Sequence, residues 1–383
     1  MPVYEQDDSL PIPYQALNTI FQESITAQRK SIIEEQFQYN INTKTLTATE
    51  DNSATVTQND SMAVLTSSTN ATGNARLESK KYLRYRAGVE GYAFFTCIWS
   101  NGGVANSTQY AGIFDDNDGF FLGYDGVNFV VGRRKSTTDT TVQVESFNGD
   151  MNFINEFDNT KLNIFCITYG WLGTAPINFF WCDSTGIWHL IHSMQLPNTL
   201  TGPSVNNPFL PMALQVKKTS GSTSIVMKSA SWHCGVNNTS PNAGNRYFSA
   251  AAAATSITTE TVLLNLRNNN YSKVMALFTF LSAAADGTKT GKVKFYKNLA
   301  IGGTPSWADV DATNSTIEKD TAGTITPDDA NLIWEFPLGR TDSQFSEVLN
   351  EDLFLLPGET VSITGQSANN MDFDIAVRWL EEY

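Results

Sequence analysis

Tyr92-Ala93-Phe94-Phe95-Thr96-Cys97-Ile98-Trp99 is the stretch that decides the fold class. Eight residues dominated by aromatic and apolar side chains, closed by Asn101-Gly102-Gly103, read as a strand running into a turn. The same grammar repeats on both sides of it. Phe129-Val130-Val131, Leu162-Asn163-Ile164-Phe165-Cys166-Ile167-Thr168-Tyr169 and Ile177-Asn178-Phe179-Phe180-Trp181 are further runs of this kind. Between them stand Asp118-Gly119, Asp125-Gly126, Asn148-Gly149-Asp150 and Ser184-Thr185-Gly186, where glycine supplies the positive φ that tight turns demand. Short strands punctuated this way predict an antiparallel β-sandwich over residues 41–235.

Strand-like runs return further on, in Val274-Met275-Ala276-Leu277-Phe278, Val293-Lys294-Phe295-Tyr296 and Leu332-Ile333-Trp334-Glu335-Phe336, and close with the alternating Phe373-Asp374-Ile375-Ala376-Val377-Arg378-Trp379-Leu380. They predict a second, jelly-roll-like sandwich over 255–383. The intervening 236–254, with Asn237-Asn238-Thr239-Ser240-Pro241 and the run Ala250 to Ala254, reads as an extended linker. Residues 1–40 read differently. Behind Pro11 and Pro13, the apolar side chains Leu17, Ile20, Phe21, Ile25 and Ile32 recur at helical spacing. They predict an amphipathic helix with two alternative uses: docking or oligomerisation at the base of an appendage, or packing on its own domain. The expected fold is therefore all-β: two antiparallel β-sandwich domains behind a short helical arm.

Of the 383 residues only 17% are charged, and the formal net charge is -14. An acidic chain of this kind argues against non-specific contact with nucleic acid or anionic membrane, both of which need excess Lys and Arg. The start, Met1-Pro2-Val3-Tyr4-Glu5-Gln6-Asp7-Asp8, lacks the basic and apolar regions of a signal peptide, and no apolar run approaches the roughly 20 residues of a membrane helix. The expectation is a protein made in a host cytoplasm that leaves it by a route other than secretion. Cys97, Cys166, Cys182 and Cys234 sit in apolar runs without C-x-x-C spacing and read as free, buried thiols.

Chemistry-bearing motifs are scarce. His189 and His192 lie three apart in a strand, where strict alternation sends them to opposite faces and away from a shared metal. Asp115-Asp116-Asn117-Asp118-Gly119 lacks the spacing of an EF-hand and reads as an acidic hairpin loop, with calcium in another geometry left open. Glu145, Asp150, Glu156 and Asp158 offer carboxylate pairs of the kind glycosidases use, as any acidic chain does. No nucleophile elbow, phosphate loop or cofactor motif is present. These readings lead to the expectation of a non-enzymatic protein without metal or cofactor. Tyr124, Trp171, Trp188 and Trp232 are the candidates for stacking on sugar rings, with core packing as the competing reading.

Residues 36–135 resemble a family of uncharacterised structural proteins of tailed phages and environmental viruses. The resemblance is carried by Phe37-Gln38-Tyr39-Asn40-Ile41-Asn42, Asn59-Asp60-Ser61-Met62-Ala63-Val64-Leu65 and Leu83-Arg84-Tyr85-Arg86-Ala87-Gly88. Its clearest block is Gly112-Ile113-Phe114-Asp115-Asp116-Asn117-Asp118-Gly119-Phe120-Phe121 with Gly123-Tyr124-Asp125-Gly126 and Gly132-Arg133-Arg134. The resemblance implies a virion structural protein such as a tail fibre, head fibre or capsid decoration. Its implied partners are capsid, portal or tail proteins, further copies of itself in a trimer, and a host surface glycan. A double-jelly-roll shell protein, a lectin-like carbohydrate-binding module and a glycan-cleaving enzyme are the alternatives. Arg133 and Arg134 read either as a solvated loop or as an inter-subunit pair.

Overall fold

The computed structural model describes residues 29–83, 89–150, 152–170, 175–237, 246–269, 274–347 and 353–381. The chain divides into two compact units, Met1–Thr239 and Ser240–Tyr383. Both are built from antiparallel β-sheets, as the alternating sequence predicts.

In the first unit the early strands are β1 (Arg29–Gln36), β2 (Leu46–Asp51), β3 (Thr55–Asn59), β4 (Met62–Thr66) and β5 (Asn74–Leu83). They are followed by β6 (Gly91–Trp99), β7 (Ser107–Phe114), β8 (Gly119–Asp125), β9 (Asn128–Lys135) and β10 (Thr138–Gln143). A one-turn helix, α1 (Asn152–Glu156), precedes β11 (Asn163–Tyr169), β12 (Ile177–Cys182) and β13 (Trp188–Met194). The unit closes with β14 (Leu210–Lys218), β15 (Val226–Ser229) and β16 (Ser231–Asn237).

Among the described residues these strands form two facing sheets. Sheet I runs β13-β12-β11-β6 and then forks: one half of β6 continues to β15, β4 and β3, the other to β16 and β1. Sheet II runs β10-β9-β8-β7-β14-β5-β2. Alternate side chains of both sheets meet between them, with Phe95, Trp99 and Phe165 from sheet I and Leu77, Phe120 and Met212 from sheet II in one apolar core. Trp99, fully buried, meets Phe129, Phe157 and Phe165 edge to face. The four cysteines are free thiols.

β1 corrects the reading of the arm. Ile32 was expected in a helix, but it lies in a strand paired antiparallel with β16. The adjacent β-branched pair Ile32-Ile33 favours extended backbone, and Ile33 is buried in the core. The other four residues of the proposed helical stripe, Leu17, Ile20, Phe21 and Ile25, lie outside the described residues.

The second unit has one sheet of Arg246–Ile257, Met371–Glu381, Ala276–Gly287 and Thr341–Glu347, with Phe354–Leu355 pairing onto Ala276–Gly287. The other runs Ala308–Asp309, Ile317–Asp320, Thr261–Asn268, Thr360–Ser367, Gly291–Lys297 and Leu332–Leu338. Trp379, Phe373, Phe295 and Leu264 lie in its core. The linker expectation is corrected here as well. Ala250 to Ala254 belong to an edge strand in register with Phe373 to Val377, where alternate alanines face the core. No helix among the described residues is long and apolar enough to cross a membrane.

Candidate functional site

The four candidate aromatics separate sharply. Tyr124 and Trp232 are core residues, 9% and 2% exposed, packed against Trp99 and Phe37 respectively. That corrects their reading as sugar contacts: alternation in β8 and β16 turns both rings inward. Trp171 lies outside the described residues. Trp188 remains, partly exposed on the outer face of sheet I, with its ring edge to face on Phe94 at 5.4 Å.

That outer face is ordered in rows fixed by strand register. One row runs Leu190, Phe180, Cys166, Phe94, His233 and Glu34 across β13, β12, β11, β6, β16 and β1. Phe94, at its centre, stacks on His233 and carries the Arg29 guanidinium 4.6 Å above its ring. The neighbouring row is polar: Ser193, Asn178, Thr168, Tyr92, Gly235 and Ser31. Tyr92 Oη lies 3.3 Å from His233 Nε2. Burial pushes the Tyr92 phenol well above its usual range and pulls the imidazole of His233 down, so both are neutral near pH 7.

Three polar atoms on this face are buried without a hydrogen-bond partner: Ser31 Oγ, Thr168 Oγ1 and Asn237 Oδ1. Asn237 uses its amide nitrogen to donate to Glu90 Oε2, which leaves its oxygen, like the two hydroxyls, buried and without a partner. Buried polar atoms are rarely left unsatisfied, because each costs about 1–3 kcal/mol. Register places Thr168 and Ser31 in the row of Tyr92, beside the row of the partly exposed Phe94, and Asn237 two residues beyond Gly235 on β16. Aromatic faces beside unsatisfied hydroxyl and amide groups are suited to a ligand that is apolar on one face and rich in hydroxyls around its rim.

At the β13 edge of this face, sequence alternation fails. Phe179 and Trp181, two residues apart, pair with His192 and His189, three residues apart, because the register shifts at a bulge there. Both histidines therefore face the core side, which corrects the expectation that they point oppositely. His192 Nδ1 accepts from the Asn148 N–H at 3.3 Å, and burial lowers its pKa. His189 lies between two carboxylates, with Nδ1 2.6 Å from Asp150 Oδ2 and Nε2 2.9 Å from Asp183 Oδ2. Burial of the ring opposes its charge, but the hydrogen bonds to Asp183 and Asp150 outweigh it and raise the pKa. Asp150 was legible as one acid among several; its pairing with His189, 39 residues away, was not.

The acidic loop is occupied by the protein itself. Asp115 Oδ1 accepts from the Asn117 and Asp118 N–H groups, and the Asp118 carboxylate accepts from those of Asn206 and Asn207. No cluster of three or more metal-ligating side chains occurs among the described residues. Arg134, read as a loop or inter-subunit residue, instead donates to both carboxylate oxygens of Asp139 at 2.7 and 3.0 Å within its own hairpin.

No family model and no curated protein matches this chain. Solved structures are similar to it at a distance. A solved structure described as "Prominent members of the human gut microbiota express endo-acting O-glycanases to initiate mucin breakdown" is 11% identical, with 55% of this chain and 100% of that one covered and a TM-score of 0.40. Lectin II from Ulex europaeus is 12% identical over 55% and 100%, with a TM-score of 0.37. An endo-1,3-beta-glucanase from Streptomyces sioyaensis is 9% identical over 54% and 96%, at 0.40. The expectation of a non-enzymatic chain is corrected by this finding, since glycan-cleaving enzymes stand beside lectins among the similar structures. A missing short motif was a weak ground for it, because two carboxylates that flank a glycosidic bond need only be brought within reach of it by the fold.

Proposed function

We propose that the first unit binds a glycan on the outer face of sheet I. The observation that carries this reading is the placement of the unsatisfied Ser31, Thr168 and Asn237 atoms beside the partly exposed rings of Phe94 and Trp188. The C–H face of a sugar ring stacks on the aromatic row, and its hydroxyls complete the polar row. Arg29, Glu34 and His233 at the β1 end add charged and polar groups that discriminate between sugars. Screening immobilised glycans against wild-type protein and Phe94→Ala tests the reading. Binding by the wild type and its loss in the variant is the expected result; equal binding by both would overturn it. The same samples are assayed for released reducing ends, which separates a lectin-like module from a glycan-cleaving enzyme.

The resemblance of residues 36–135 to virion structural proteins supports a setting for this activity. A β-domain that recognises glycans is what an exposed tail fibre, head fibre or capsid decoration presents to a host surface. Immunogold labelling of particles that carry this protein, with the glycan as competitor, tests that setting.

A further inference from the structure

The outer edge of sheet I is closed by a strap rather than a strand. Residues 147–150 run along β13, with Gly149 N donating to Ile191 O at 3.1 Å and Asp150 N to Leu190 O at 2.7 Å. Asn148 brackets Ser193, donating from Nδ2 to its carbonyl and accepting at Oδ1 from its N–H. The approach is so close that a Cβ on Gly149 would stand 2.0 Å from Leu190 O. Open edge strands fray and recruit partners, so the strap fixes β13 and with it Trp188.

We propose that His189, as an imidazolium bridging Asp150 on the strap and Asp183 on the β12–β13 turn, is a positioning residue that holds Trp188 in its glycan-binding pose. The proposal rests on the glycan reading above. Asp183 ties the turn together: its Oδ1 accepts from Thr185 N, Thr185 Oγ1 and Ile187 N, immediately before Trp188. Only the doubly protonated ring has a donor for each carboxylate. Among the described residues Asp150 and Asp183 are the charged groups facing it; Trp181 of β12 adds a neutral ring at 5.8 Å, and the Cys182 thiol, its pKa raised by burial, stays uncharged.

On loss of one proton the ring keeps the N–H toward Asp183, the less exposed carboxylate at 9% against 34% for Asp150. Nδ1 then faces Asp150 lone pair to lone pair, and the strap opens. Because the folded pKa lies above the ordinary 6.5, the bridge is complete below that value and is lost as pH rises through the folded pKa.

Three readouts across a pH series test this: the His189 ring signals by NMR, amide protection of residues 149–150 and 193, and glycan affinity. The expected result is a His189 transition above pH 6.5, with strap protection, the Trp188 indole signal and affinity falling together, affinity by about tenfold per unit of coupled pKa shift. His189→Gln, which retains one donor and one acceptor, should bind weakly and without that pH dependence, while Asp183→Asn checks that the fold survives loss of one charge. Titration of His189 at or below 6.5, or a strap and Trp188 signal unchanged through its transition, would overturn the proposal. Absence of glycan binding by wild type at every pH sinks the glycan reading instead, and the NMR and protection data still decide whether His189 positions Trp188.

Discussion

The two outer faces of the first unit use the same residue classes to opposite ends. On sheet II, Tyr110 stacks on Phe121 at 4.1 Å, Phe114 meets Phe121 edge to face, and Arg76 and Arg134 lie over the rings. Each arginine has its own carboxylate, Glu78 for Arg76 and Asp139 for Arg134. The rings are 0–2% exposed, and a side chain at Gly132 would strike Phe121 at 2.4 Å. Sheet I also has aromatics, an arginine and a carboxylate, but its Phe94 and Trp188 rings are partly exposed and, among the described residues, three of its outer-face polar atoms lack partners. The difference teaches that residue type does not mark a binding face. What marks it is unfinished hydrogen bonding beside accessible apolar surface.

The comparison breaks most readily at its stability end. Phe121→Ala should cost about 3–5 kcal/mol in chemical denaturation, as buried aromatic truncations do, while the folded fraction binds glycan as before. Arg134→Ala should cost about 2 kcal/mol, with glycan affinity again unchanged, because it removes a two-pronged charged pair from a closed face. A fall in affinity in either variant would mean that sheet II carries the site.

Trp188→Ala should invert the pattern, losing about tenfold in affinity, equivalent to about 1.4 kcal/mol, with a smaller change in folding stability. The smallest expected effect is the most discriminating. Thr168→Val replaces a hydroxyl whose buried oxygen has no partner by a methyl group of similar size, so it should stabilise the free protein by about 0.5–1 kcal/mol while weakening glycan binding. Destabilisation by Thr168→Val would show that the hydroxyl is satisfied within the protein.

The fold was largely legible because Tyr92 to Trp99 is a short aromatic and apolar run and the turn that follows it is marked by glycine. Strand position was harder to read. Alternation assigns Tyr124, Trp188 and Trp232 to faces of their own strands, but only pairing shows which face meets the other sheet. The bulge opposite Phe179 and Phe180 defeated parity for His189 and His192, since one extra residue reverses every later side chain. Ile32 satisfied a helical spacing that the pairing of its strand with β16 overrode, and the alanine run carried too little side-chain signal to show an edge strand. The polar row could not be read at all, because its members lie on six strands scattered between residues 31 and 235.

The most direct test of the central claim is to locate a bound sugar. A crystal structure, or NMR shift mapping, of the protein with a glycan that it retains should place the sugar ring against Phe94 and Trp188, with hydroxyls bonded to Ser31, Thr168 and Asn237. A sugar seated on sheet II or on the second unit, with the outer face of sheet I bare, would contradict the account.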